Sequence, residues 1–156
     1  ERWAAVTHRM ESPEILLAYG VTLGEGFDEL IAAVRNESLS FTFIYDAAGS
    51  EIVEQVADRM EIDLWERLNL EVYQRTARFS PGYCDWKLEG QQGLCAFLHL
   101  ETIGIRCTKA WSMLPTKSIT AVLLGARAMP FNTPCPLCNQ KECAYRRANI
   151  LYDMAP

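Results

Sequence analysis

The sequence predicts an α+β fold in which helices pack on a twisted, mainly antiparallel sheet, all within a single domain. Three observations predict it. Apolar residues recur at helical spacing over 25–35 and again over 44–68. Alternating or branched runs at 70–78, 103–111 and 118–125 read as strands. The short 114–117 connection suits antiparallel neighbours, because parallel strands need a crossover of a dozen or more residues.

The elements follow in order. Ser12-Pro13 opens a first short element, and the glycine-rich run 20–26 reads as a strand-to-helix turn. It lacks the Lys-Ser/Thr of a phosphate-binding loop. Phe27, Leu30, Ile31 and Val34 then mark one face of a helix over 25–35, which the polar stretch 36–40 closes. Phe41, Phe43, Ile44 and Tyr45 favour a strand by propensity. Ala48, Ile52, Val56, Met60 and Leu64 nevertheless form an i, i+4 stripe, which predicts a long helix over 44–68 with that stripe in the core. In the run 70–78, Leu70, Val72, Thr76 and Arg78 share one side and Glu71, Tyr73 and Arg75 the other, as a strand would place them. A helix over 88–100 follows, with Leu94, Cys95, Phe97 and Leu98 facing inwards. Strands at 103–111 and 118–125, joined by Leu114-Pro115-Thr116-Lys117, complete the expected fold.

Length and composition set bounds. A chain of 156 residues suits one domain with a sizeable core. There is no internal repeat and no low-complexity linker. A formal charge of −5 argues against general nucleic-acid binding, which calls for a basic stripe. No apolar run approaches the roughly 20 residues that a membrane-spanning helix needs, and residues 1–6 lack the layout of a signal peptide. The expected location is the cytoplasm.

Chemistry concentrates in Arg78-Phe79-Ser80-Pro81-Gly82-Tyr83-Cys84-Asp85-Trp86. Arg78 supplies a planar fork of donors suited to a carboxylate. Pro81 presets one backbone angle, and Gly82 allows main-chain groups to approach a ligand with no side chain between. Tyr83 and Trp86 add flat surfaces. The pattern suits a small, partly anionic ligand, and an isolated Pro-Gly-Tyr is also an ordinary solvated turn.

Further along comes Ile105-Arg106-Cys107-Thr108-Lys109-Ala110-Trp111-Ser112-Met113-Leu114-Pro115-Thr116-Lys117-Ser118-Ile119-Thr120. Taken with the 78–83 loop, the Met113-Leu114-Pro115 step and the Ser118-Ile119-Thr120 strand start, it resembles the reactivation domain of cobalamin-dependent methionine synthase. Small stand-alone versions of that domain are the nearer likeness. The resemblance runs from Arg78 to about Gly125 and more loosely from Val21 to Leu68. It implies a module that binds S-adenosylmethionine for the reductive methylation of a corrinoid, as an accessory domain or subunit of a cobalamin-dependent methyltransferase. It implies that Arg78 grips the ligand carboxylate, that Ser80 and Gly82 offer backbone groups to the adenine or amino end, and that Tyr83 packs on the ligand. The implied partners are a cobalamin-carrying protein and an electron donor such as a flavodoxin or ferredoxin, because the chain has no Asp-x-His-x-x-Gly cobalamin signature of its own.

The chain also departs from the family pattern. The tyrosine that follows the second strand there has no counterpart over 123–131, where Phe131 fills the position without a hydroxyl. The acidic residue on the family's long helix corresponds to Glu61 or Asp63.

A second feature is Pro134-Cys135-Pro136-Leu137-Cys138-Asn139-Gln140-Lys141-Glu142-Cys143. The Cys-x2-Cys-x4-Cys spacing of Cys135, Cys138 and Cys143 suits zinc or an iron-sulfur cluster, each of which wants a fourth ligand. His8, His99, Cys84, Cys95 and Cys107 are the candidates for it. An alternative function follows, an iron-sulfur or zinc-binding accessory protein of corrinoid metabolism, and the bland reading is a reduced thiol cluster. Lys141, Arg146 and Arg147 read as a solvated basic end. His8 and His99 form no motif, and no Ser-His-Asp order is present.

Overall fold

A computed structural model describes residues 13–84, 86–128, 135, 142 and 143. The described chain is α+β. Its elements are β1 (Ile15–Thr22), α1 (Glu25–Glu37), α2 (Leu39–Arg67), β2 (Gln74–Arg75), α3 (Gly90–Phe97), a 3-10 turn (Leu100–Ile103), β3 (Arg106–Cys107), β4 (Met113–Leu114) and β5 (Ser118–Ala126). One sheet has the order β1-β5-β2, and β3 pairs with β4 in a separate antiparallel ribbon. Among the described residues, those within 1–18, 70–90 and 121–156 form one compact unit and those within 19–69 and 91–120 another.

In the first unit the core is the second half of β5. Ala121, Val122, Leu123, Leu124 and Ala126 are all buried, as befits the middle strand of a sheet. The Glu14 N–H donates to the Gly125 carbonyl at 2.9 Å on one side. On the other, β2 runs antiparallel to β5, with Gln74 opposite Ala126 and Arg75 opposite Gly125. A regular ladder would then set Phe79 opposite Ala121, yet Phe79 bridges Val122. That one-residue slip interrupts the pairing after Arg75, so the strand expected over 70–78 shrinks to two residues. Thr76 spans the gap: its N–H donates to the Leu124 carbonyl at 2.9 Å and its Oγ1 accepts from the Leu124 N–H at 3.0 Å. Val72, expected beside Thr76, is exposed.

In the second unit the strand-to-helix turn falls where the glycines predict it, with Gly24 at a φ of 81° just before α1. Ser38 alone separates α1 from α2. Its N–H closes α1 on the Val34 carbonyl at 2.9 Å, and its hydroxyl accepts from the Phe41 N–H at 3.4 Å. The long helix therefore begins at Leu39, earlier than the expected Ile44, and absorbs Phe41 and Phe43 despite their strand propensity. Its buried stripe also differs from expectation. Gly49, Val53, Ala57, Glu61 and Trp65 face inwards, while Ala48, Ile52 and Val56 lie exposed, one position out of phase. Packing selects this phase: Phe27 of α1 lies where a side chain on Gly49 would project.

The helix expected over 88–100 is shorter. It ends at Phe97, and His99 turns the chain through a left-handed residue into the 3-10 turn. Leu94 and Cys95 are buried as expected, but Phe97 is 71% exposed. The buried Leu100 side chain reaches Gly20 on β1, where an added Cβ would meet it at 2.7 Å. The 103–111 strand reduces to Arg106 and Cys107, and its partner is β4 at 113–114 where β5 was expected. β5 itself spans the expected residues plus Ala126. The turn before it is tied to α1 and α2: Asp28 accepts from the Thr116 N–H at 3.0 Å, and Lys117 Nζ reaches Asp46 at 2.7 Å and Ser50 at 2.9 Å.

Candidate functional site

The 78–86 loop belongs to the first unit and is pinned at its start. Phe79 is buried and exchanges two hydrogen bonds with Val122, its N–H donating at 3.1 Å and its carbonyl accepting at 2.9 Å. Arg78 and Ser80 flank this anchor and are both half-buried. Pro81 is buried, and Gly82 takes a φ of 97°, a left-handed conformation that its missing side chain permits.

Three further bonds close the loop on itself. The Tyr83 N–H donates to the Ser80 carbonyl at 3.1 Å, the Trp86 N–H to the Tyr83 carbonyl at 2.9 Å, and the Gly82 N–H to the Trp86 carbonyl at 2.7 Å. The Gly82 amide is thus committed to the turn, which leaves its carbonyl side for any outside group. Trp86 meets Phe79 edge to face, with ring centroids 5.7 Å apart. Its indole also occupies the space above Gly90, where any side chain would collide with it. Tyr83 points its ring outwards, 55% exposed.

The loop therefore brings together Arg78, Ser80, Gly82 and Tyr83 on a short backbone arch anchored by Phe79 and Trp86. A half-buried arginine, a glycine in the left-handed region and an exposed aromatic ring are thus carried on one short turn.

Of the acidic candidates on the long helix, Asp63 pairs with Arg59 at 3.1 Å on the same helix. Glu61 is 4% exposed and accepts a hydrogen bond from the Tyr19 hydroxyl on β1. Both lie in the second unit. In the tail, Cys135 and Cys143 are half-buried and in no disulfide. Cys138, Phe131, Asp85 and His8 lie outside the described residues. Among the described residues no three His, Cys, Asp or Glu side chains gather in a metal-binding group, and no helix is long and apolar enough to cross a membrane.

No family model matches the chain, and no curated protein matches it.

Sequence reasoning missed one polar network. Gln91, 3% exposed, turns its side-chain amide to Thr120, donating to its Oγ1 at 2.7 Å, and the same nitrogen lies 3.4 Å from Cys95 Sγ and 3.2 Å from Met113 Sδ. A glutamine four residues before a cysteine on one helix face is the signal that was available.

Proposed function

We propose that this chain binds S-adenosylmethionine at the 78–83 loop and presents it to a corrinoid held by a separate protein, supporting the reductive reactivation of a cobalamin-dependent methyltransferase of the methionine synthase type. The observation that supports this reading is the anchored arch. Arg78 and Ser80 flank a buried Phe79 that is hydrogen-bonded twice to β5, and Tyr83, whose N–H bonds the Ser80 carbonyl, keeps its side chain exposed. A loop held this way loses little further entropy when a ligand docks, which favours binding by a small module.

In this reading the Arg78 guanidinium holds the methionine carboxylate through paired N–H donors. The Gly82 carbonyl, and the lone pair of the Ser80 carbonyl that the Tyr83 N–H leaves, receive the ammonium or adenine donors, and the Tyr83 ring covers one face of the ligand. The sulfonium supplies an electrophilic methyl group, and the chain contributes position and orientation. The corrinoid arrives on its own protein and the electron comes from a donor such as a flavodoxin or ferredoxin. Association with the corrinoid protein is intermittent and weak, since a permanent complex would block the ordinary methyl-transfer cycle. The thiols of Cys95 and Cys107, in no disulfide, suit the reducing cytoplasm.

Calorimetric titration of the chain with S-adenosylmethionine tests the reading. Saturable one-to-one binding that methionine methyl ester fails to displace is the expected result, because the ester lacks the carboxylate. Absence of heat at millimolar ligand overturns it.

A further inference from the structure

Three sulfur-bearing side chains from three different elements pack on one core cluster in the second unit. Cys107 on β3 stands directly opposite Met113 on β4 in the antiparallel register, so their side chains leave the same face of the ribbon with Cβ atoms roughly 5 Å apart. The turn between them is set by Thr108. Its N–H donates to the Ser112 carbonyl at 2.8 Å, and its Oγ1 accepts from the Ala110 and Ser112 N–H groups at 3.3 and 3.2 Å. Onto this ribbon α3 lowers Cys95. That residue is 7% exposed and forms a core cluster with Leu100 and Ile105, against which Cys107 and Met113 both pack.

We propose that Cys95, Cys107 and Met113 form a binding site for a soft monovalent d10 cation of the copper(I) type. The donor set decides the class of ion. Two thiols and a thioether are the ligands that soft ions select, whereas zinc in its closed form wants four nitrogen, sulfur or carboxylate donors. Copper(I) is satisfied by two or three sulfurs. The surroundings agree with the chemistry. Each thiol that ligates gives up its proton to water, so the site gains negative charge. The Gln91 amide stands ready to stabilise it, with its nitrogen 3.4 Å from Cys95 Sγ and 3.2 Å from Met113 Sδ, and is itself held by Thr120. Cys107 and Met113 are only half-buried, so an ion has a route to the buried Cys95.

This site is independent of the S-adenosylmethionine reading, since none of its residues lies in the 78–83 loop. It also differs from the tail cysteines, which a test must remove from competition.

The test uses the full chain, reduced, in a background carrying Cys84→Ser, Cys135→Ser, Cys138→Ser and Cys143→Ser. Under anaerobic conditions it is titrated against copper(I) bound to bicinchoninate. Transfer of one equivalent, with the near-ultraviolet absorption of a thiolate-to-copper transition, is expected. Met113→Leu keeps the core volume and should weaken capture about tenfold, and Cys107→Ala, at a half-buried position, about a hundredfold. Circular dichroism checks that both variants fold. No transfer from the chelator, or transfer unchanged in Cys107→Ala, overturns the proposal.

Discussion

The Tyr19 hydroxyl of β1 donates a hydrogen bond to the Glu61 carboxylate of α2, both residues being buried. This contact places a strand and a long helix in fixed register, and it explains how a carboxylate can sit at the fourth position of an otherwise apolar stripe. Tyr19→Phe keeps the ring and deletes the donor. It should lower unfolding free energy by about 0.5 to 1.5 kcal/mol, the net worth of one intramolecular hydrogen bond. Urea denaturation measures this, and an unchanged midpoint would show that the bond contributes nothing.

Arg78 carries the sharpest forecast for the proposed ligand. Arg78→Ala should weaken S-adenosylmethionine binding by about 2 to 5 kcal/mol, as truncation of one partner of a charge-assisted pair does. Arg78→Lys should recover only part, because an ammonium keeps the charge and loses the fork. Titration of parent-like affinity in Arg78→Ala would take the residue out of the site.

Two glycines on helices should respond oppositely to alanine. At Gly49 the new methyl would enter the Phe27 ring and lie 3.3 Å from Lys117 Cε. Gly49→Ala should therefore destabilise by about 1 to 3 kcal/mol through overpacking, despite the better helix propensity. At Gly93 in α3 nothing lies within 4 Å of the added carbon, so Gly93→Ala should stabilise by about 0.5 to 1 kcal/mol. Thermal melts of the two variants in parallel decide it, and a shift of the same sign in both would refute the packing argument.

The Cys107 thiol is held above its ordinary value, first by burial and then by the charge of Cys95 and a hydrogen bond with it. The folded protein thus keeps this proton to higher pH than the unfolded chain. The stabilising contribution is complete below the ordinary thiol value of about 8.5 and is lost as pH rises through the raised one. Cys107→Ala should therefore flatten the alkaline decline in stability, read as urea midpoints at neutral pH and at about pH 10. Equal declines in parent and variant would count against the assignment.

Local pattern determined a definite part of this molecule. The Gly24 turn, the helix from Glu25 and the strand from Ser118 stand where periodicity and turn residues place them, because each has one apolar face or one uninterrupted apolar run. Pro81 and Gly82 likewise mark the loop, since the conformations they favour are intrinsic to those residues. Tertiary structure decided the rest. α2 carries apolar residues on more than one side, so its period alone cannot say whether the Ala48 or the Gly49 stripe is buried, and the fit of Phe27 against Gly49 chooses. Two-residue strands such as β2, β3 and β4 are too short for alternation to register, and they exist only because a partner backbone is alongside. The loop that carries Arg78 was legible as a candidate site from its residue types, whereas the pair of hydrogen bonds between Phe79 and Val122 that anchors it was not. The same holds for the meeting of Cys95, Cys107 and Met113, because contacts between residues distant in sequence depend on how the elements pack and leave no periodic trace along the chain.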